Sequence, residues 1–191
     1  MFPLFNETTA PETARPILAK TKEEFKRIPN LEKTMALSPA LLESYTTCWS
    51  LFQDTSLSSI EQQIVYQTAN FENECDYCVP WHTLLSKQAK MSKEDIEALR
   101  IGAKLSNSRY EELRRFTQCL IRSHGKVVRS DLDAFIQAGY SPQQALEVVL
   151  AIAIKTMSNY PNKKRSNNYR ILSKITYYNV IDEITIYFFF N

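Results

Sequence analysis

Glycine is almost missing. The 191-residue chain has three, too few for a glycine-rich loop that cradles phosphates or for the dense turns of a β-sandwich or barrel. Neither charge sign dominates: 23 basic residues face 21 acidic ones, for a net charge of +2. That balance argues against a nucleic-acid partner or an acidic surface. No apolar stretch approaches the roughly 20 residues of a spanning helix, so no membrane partner is expected. Met1 to Pro16 has no basic region followed by an apolar run, which argues against a secretory signal and makes a cytoplasmic location the default. Only two of the four cysteines are close in sequence, so they do not form the framework of a small secreted protein.

What is present reads as helices. Residues 1–20 hold Pro3, Pro11 and Pro16 without periodicity and are expected to be an extended arm. Thr21 with Glu24, Ser58 with Glu61, Ser92 with Asp95, Ser108 with Glu111 and Ser130 with Asp133 have the spacing of helix N-terminal caps. Ser38-Pro39 and Ser141-Pro142 place a proline at a first helical position, where its missing N–H costs nothing. In the segment after Ser108, Leu113, Phe116, Thr117, Leu120 and Ile121 should face inward, and Arg114, Arg115 and Arg122 outward. Ala145 to Met157 is apolar nearly all round and should be central or lie in a subunit contact. With no convincing strand before residue 170, the expectation is an all-α multi-helix bundle. Residues 21–162 would be the helical domain and 163–191 an atypical tail.

The chemistry concentrates in Cys75-Asp-Tyr-Cys78-Val-Pro-Trp-His82. Offsets of three, four and seven bring all three side chains to one face of a helix. Two thiols so placed can close a disulfide, and their reactivity depends on local positive charge. Three other readings stay open at this point. The thiols could be inert core residues, a redox switch in a scaffold protein, or, with His82, part of a zinc module. Asn73 is the expected N-cap of this helix, which puts Cys75 in the first turn. There the dipole and the unpaired N–H groups favour a thiolate. The one-turn spacing instead pairs His82 with Cys78. Pro80 should kink the helix near His82.

From about Leu57 onward the chain resembles the alkylhydroperoxidase D-like branch of the carboxymuconolactone decarboxylase family. The resemblance rests on Leu57-Ser-Ser-Ile-Glu-Gln-Gln63, Asn73-Glu-Cys75-Asp-Tyr-Cys78 and His82. Ala138-Gly-Tyr-Ser141, Ala145-Leu-Glu-Val-Val149 and Asn159-Tyr-Pro-Asn162 extend it to residue 162. It implies an all-helical fold, a homo-oligomer, and an antioxidant peroxidase that needs no cofactor or metal. Peroxide would be the substrate, and an external dithiol or thioredoxin-like protein the reductant. It further implies Cys78 as the nucleophile, Cys75 as the resolving thiol and His82 in a proton relay. Decarboxylase members lack the cysteine pair, so that activity is disfavoured.

The chain departs from the family in two places. The family's peroxidase has a glutamate twelve residues before its first cysteine, where this chain has Gln63. An amide can hydrogen-bond but cannot take a proton at neutral pH, so a weaker relay is expected. After Asn162 the sequence turns to Lys163-Lys-Arg-Ser-Asn-Asn and ends in Ile184-Thr-Ile-Tyr-Phe-Phe-Phe-Asn191. That tail suggests a shifted reading frame, and its apolar end an aggregation liability unless it docks.

Overall fold

Nine α-helices and one short 3-10 turn, with no strand, make up the described residues, 2–162 in a computed structural model of the chain. The expectations about the tail, 163–191, lie outside them. Helices α1 (Arg15–Phe25) and α2 (Asn30–Met35) are followed by α3 (Pro39–Gln53), α4 (Ser59–Glu72) and α5 (Cys78–Gln88). Then come α6 (Lys93–Ile101), α7 (Ser108–Arg122), α8 (Arg129–Gln137) and α9 (Pro142–Asn162). The described residues fall into two compact units. One holds residues 2–47 with Pro161 and Asn162, and the other is Cys48–Tyr160.

In the first unit the expected extended arm is cut short. A 3-10 turn occupies Glu12–Ala14, and α1 starts at Arg15 with Pro16 in its first turn. Proline favours that place because the first N–H groups of a helix are unpaired anyway. Thr21 therefore falls inside α1, where its hydroxyl donates to the Ile17 carbonyl at 3.0 Å instead of capping.

The second unit is organised around α4. Residues Glu61 to Asn70 are buried without a break, so every face of this helix meets protein. Its start is the expected capping box. Ser58 Oγ accepts from the Glu61 N–H, and the Glu61 carboxylate accepts from the Ser58 N–H at 2.8 Å. Glu61 also pairs with Arg109 of α7 at 2.7 Å, which ties the two helices together at that end. Gln62 donates to the carbonyls of Phe52 and Leu57, at 3.0 and 3.1 Å, and so fixes the connection from α3.

Two of the other expected caps hold and two move. Ser92 accepts from the Asp95 N–H, and Ser141 with Gln144 forms a reciprocal pair at the start of α9. Asn107, not Ser108, caps α7. That leaves Glu111 to accept from the Leu105 N–H at 2.9 Å and to bind Arg114 through two bonds of 2.7 and 2.8 Å. Arg114 is consequently buried, not on a solvated face, because a carboxylate one turn away matches its fork. α8 starts at Arg129 with Val128 before it and no side-chain cap, so Ser130 is already helical.

α9 is not central all round. Val148, Ala151, Ile154, Lys155, Ser158 and Asn159 are buried, a stripe at helical spacing. Leu146 and Val149 lie off it, 72% and 48% exposed. Among the described residues no helix is long and apolar enough to cross a membrane.

Candidate active site

The connection from α4 to α5 is five residues long, and its shape decides where each sulfur sits. Asn73 is the C-cap of α4, not the N-cap of α5. Glu74 then takes a left-handed conformation, φ 52°, a strained place for a residue with a Cβ. The turn is held by the Cys75 N–H donating to the Asn70 carbonyl at 2.9 Å and the Cys78 N–H donating to the Cys75 carbonyl at 3.2 Å. α5 begins at Cys78.

This shift corrects two expectations. Cys78, not Cys75, lies in the first helical turn, where unpaired N–H groups favour an anion. Pro80 becomes the third helical residue, still among the positions whose N–H has no intrahelical partner, so it has no reason to kink the helix.

The two sulfurs lie 3.1 Å apart, both cysteines are free, and they are 2% and 4% exposed. Forming a bond of about 2 Å needs a shift of only about 1 Å. The pair is electrically asymmetric. The hydrogen bond from Cys75 is the largest influence holding the Cys78 thiol down, to about 6, against the upward push of burial. The charge of Lys155 and an amide donor, Asn159 Nδ2 at 3.1 Å, act in the same direction. The same sulfur–sulfur bond pushes the Cys75 thiol well up, with burial adding to it. Cys78 is thus the more acidic sulfur and Cys75 the hydrogen-bond donor to it, a direction on which helix position and side-chain partners agree.

His82 is buried but does not face the sulfurs. Its Nδ1 lies 2.9 Å from Gln63 Oε1 and its Nε2 lies 3.0 Å from Lys155 Nζ. A lysine ammonium can only donate, so Nε2 accepts from Lys155 and Nδ1 carries the ring proton to the Gln63 carbonyl oxygen. Burial first, and the Lys155 charge second, hold the imidazole well below its usual range, so the ring is neutral. The order along the site is therefore Gln63, His82, Lys155, Cys78, Cys75. The expected one-turn pairing of His82 with Cys78 is replaced by a lysine standing between them.

A seam of amides completes the site. Gln63, Gln67 and Asn70 project from one face of α4 at offsets of four and three. Asn70 donates to Gln67 at 3.2 Å, and Asn159 Nδ2 donates to Asn70 Oδ1 at 3.0 Å. Asn73 donates to Asn159 Oδ1 at 2.9 Å. Lys155 and Asn159 are four apart on the buried stripe of α9, so one face of one helix delivers both to Cys78. Beside His82 the Tyr66 ring lies 4.9 Å from the imidazole and stacks on Trp49 at 5.2 Å.

Sequence reasoning named Cys75, Cys78, His82 and Gln63, and all four lie in this assembly. It missed Lys155, and it gave Asn159 no role. The available signal was a lone lysine in the most apolar run of the chain. The zinc reading of Cys75, Cys78 and His82 fails on geometry. Both ring nitrogens are engaged elsewhere, an ammonium stands beside the sulfur, and no metal-binding group of His, Cys, Asp or Glu occurs among the described residues.

The titrations predict a pH dependence of stability. Between about 6 and the free-thiol range, folded Cys78 has lost a proton that the unfolded chain keeps. Below the usual histidine range, folded His82 stays neutral while the unfolded ring is protonated. In both cases the unfolded state binds more protons, so stability rises with pH, by up to about 1.4 kcal/mol per pH unit for each such proton. Urea unfolding midpoints in reducing buffer should climb from pH 5 to pH 8. A flat or falling series would contradict these assignments.

Residues 39–107, which include Gln63, Cys75, Cys78 and His82, match the sequence model of the carboxymuconolactone decarboxylase family. No curated protein matches the sequence. Among solved structures the chain is similar to the alkylhydroperoxidase AhpD core of an uncharacterized peroxidase-related protein from Ralstonia eutropha JMP134. The TM-score is 0.73 at 17% identity, over 83% of this chain and 85% of that one. An uncharacterized peroxidase-related protein from Silicibacter sp. TM1040 follows at 0.66 and 18%, over 78% and 81%. The debrominase Bmp8, as a cysteine-to-alanine variant in complex with 2,3,4-tribromopyrrole, scores 0.65 at 15%, over 79% and 82%. At such identities the structures establish the fold, and the sequence match covers the segment that carries the cysteine pair. Residues 39–107 thus resemble the carboxymuconolactone decarboxylase family, and the described chain has the all-α fold of the alkylhydroperoxidase AhpD core.

Proposed function

We propose that this protein is a thiol-dependent peroxidase, reducing a peroxide with the Cys75–Cys78 pair and recovering its electrons from an external dithiol or thioredoxin-like protein. The observation that carries the reading is the asymmetric sulfur pair: a thiolate-forming Cys78 with a protonated Cys75 at 3.1 Å. The Cys78 thiolate attacks the terminal peroxide oxygen and becomes a sulfenic acid, and the remaining oxygen leaves as an alcohol. Cys75 then displaces water from that sulfenic acid to give the disulfide, and the reductant restores both thiols. No metal or organic cofactor enters this cycle.

Burial of both sulfurs has a consequence. Oxidant therefore reaches them through a local opening of the packed helices around them. A cytoplasmic setting suits four free cysteines. A homo-oligomer suits the exposed apolar pair Leu146 and Val149 on α9.

The test is steady consumption of an organic hydroperoxide with dithiothreitol as reductant, on the full chain, with its mass followed by sedimentation. The reading expects multiple turnovers and an assembly larger than the monomer. Thiol oxidation that changes the assembly without turnover would favour a redox-responsive scaffold instead. A second reading draws on the debrominase likeness and the aromatic stack beside His82. In it, the dithiol supplies two electrons that convert a carbon–bromine bond to carbon–hydrogen and bromide. Bromide release from a brominated pyrrole, with no peroxide turnover, would select that reading.

A further inference from the structure

Lys155 is 1% exposed. An ammonium taken out of water needs an opposite charge, or it destabilises the fold by several kcal/mol. Two other buried carboxylates have theirs: Glu61 pairs with Arg109, and Glu111 with Arg114. Among the described residues Lys155 joins no carboxylate. Its polar partners are His82 Nε2 at 3.0 Å and the Cys78 sulfur. The Tyr66 ring face lies 5.6 Å away. The groups around it that can titrate are Cys75, Cys78, His82 and Tyr66. Of these Cys78 is the one that supplies a negative charge.

His82 cannot be the acid at the sulfur. Its one ring proton points at Gln63, and the other ring nitrogen is occupied as the acceptor from Lys155. Gln63 cannot take a proton from it. Lys155 has three N–H donors, of which His82 and Cys78 use two.

We infer that Lys155 is a catalytic residue of the thiol chemistry: its ammonium is the counter-charge that holds Cys78 as thiolate and the acid that protonates the departing oxygen. His82 and Gln63 are positioning residues that aim it. This rests on the peroxidase reading. In the first step a Cys78 sulfur–oxygen bond forms and the peroxide oxygen–oxygen bond breaks. Its electron pair goes to the leaving oxygen, which takes a proton from Lys155. Sulfenic acid, alcohol and a neutral amine remain. In the second step that amine takes the Cys75 thiol proton, the sulfur–sulfur bond forms and the sulfur–oxygen bond breaks. The hydroxide takes the proton back from Lys155 and leaves as water. When an external dithiol reduces the disulfide it gives up two electrons and two protons. One proton restores the Cys75 thiol and the other the Lys155 ammonium, with Cys78 again a thiolate. Charge and protons balance without any carboxylate in the site.

The test uses leaving groups. tert-Butyl hydroperoxide expels an alkoxide, which needs a proton; peracetic acid expels acetate, which does not. Single-turnover thiol loss is followed for wild type, Lys155→Met and Lys155→Arg. Each is held above its own Cys78 midpoint, read from thiolate absorbance, and folding is checked by circular dichroism. Lys155→Met should slow the hydroperoxide reaction by about 100-fold or more and the peracid reaction by less than about tenfold. Its midpoint should rise toward that of a free thiol, and Lys155→Arg, which keeps the charge, should hold the midpoint near wild type. If Lys155→Met does not fold, Lys155→Gln carries the same comparison. Equal slowing with both oxidants, or an unmoved midpoint, overturns the inference while the peroxidase reading stands. Wild type inert to both oxidants overturns that reading and the inference with it.

Discussion

Cys78→Ser should abolish fast oxidation of the protein by hydroperoxide, while Cys75→Ser should react once and stop. The two thiols share one hydrogen bond, so the prediction turns on which end carries the charge. Cys78 has the first-turn N–H groups of α5, the Asn159 amide and the Lys155 charge on its side. At Cys75 the bond to its partner sulfur and its own burial work against ionisation and outweigh the Lys155 charge and the Cys78 backbone N–H. A hydroxyl at position 78 cannot ionise at neutral pH, so the nucleophile is lost outright and the rate should fall by at least about 1000-fold. In Cys75→Ser the nucleophile survives and the serine hydroxyl can still donate to it, but the resolving thiol is gone, so it should accumulate as sulfenic acid, detectable by dimedone adduct and mass. Equal loss in both variants would remove the order of attack.

Asn159→Leu should cost the fold about 3–5 kcal/mol and also make Cys78 a weaker acid. One amide serves three partners: it donates to Cys78 Sγ and to Asn70 Oδ1, and it accepts from Asn73. Leucine has similar bulk and none of these bonds. Asn70 is fully buried and loses the donor to its carbonyl oxygen, and the thiolate loses one of its donors. Each buried polar group left without a partner costs about 1–3 kcal/mol, more when charged. Urea unfolding gives the first effect. The pH midpoint of iodoacetamide labelling, moving upward, gives the second. A variant with wild-type stability and an unmoved midpoint would show that Asn159 is a bystander.

Much of this site could be read before any coordinates, because helical spacing is a local property. The offsets from Cys75 to His82, and of Gln63 one helix earlier, follow from sequence alone. What could not be read was decided by the backbone between the helices. Asn73 has the chemistry of an N-cap and of a C-cap alike, and only the left-handed Glu74 after it shows that α4 ends there. That residue is not glycine, so no sequence signal marked the turn. It moved the start of α5 from Cys75 to Cys78, relieved Pro80 of any kink, and changed which thiol sits at the helix terminus.

Lys155 was hidden for a different reason. Its helix reads as uniformly apolar, and one cation within it is a small perturbation of that pattern. Its meaning depends on a partner 77 positions earlier, since Cys78 supplies the charge that makes its burial tolerable. The seam Gln63, Gln67 and Asn70 was not read as a hydrogen-bonding surface. An amide on a buried helix is explained only by what the neighbouring helices bring to it.

The central claim is that Cys75 and Cys78 form one redox unit, with Cys78 the sulfur that meets the oxidant. Mass analysis of the full chain after one equivalent of tert-butyl hydroperoxide, with free thiols then alkylated and peptides mapped, tests it directly. The account predicts an internal Cys75–Cys78 disulfide, with Cys48 and Cys119 alkylated, and in Cys75→Ser an oxygen adduct on residue 78. Oxidation appearing first at Cys48 or Cys119, with the pair left as thiols, would contradict it.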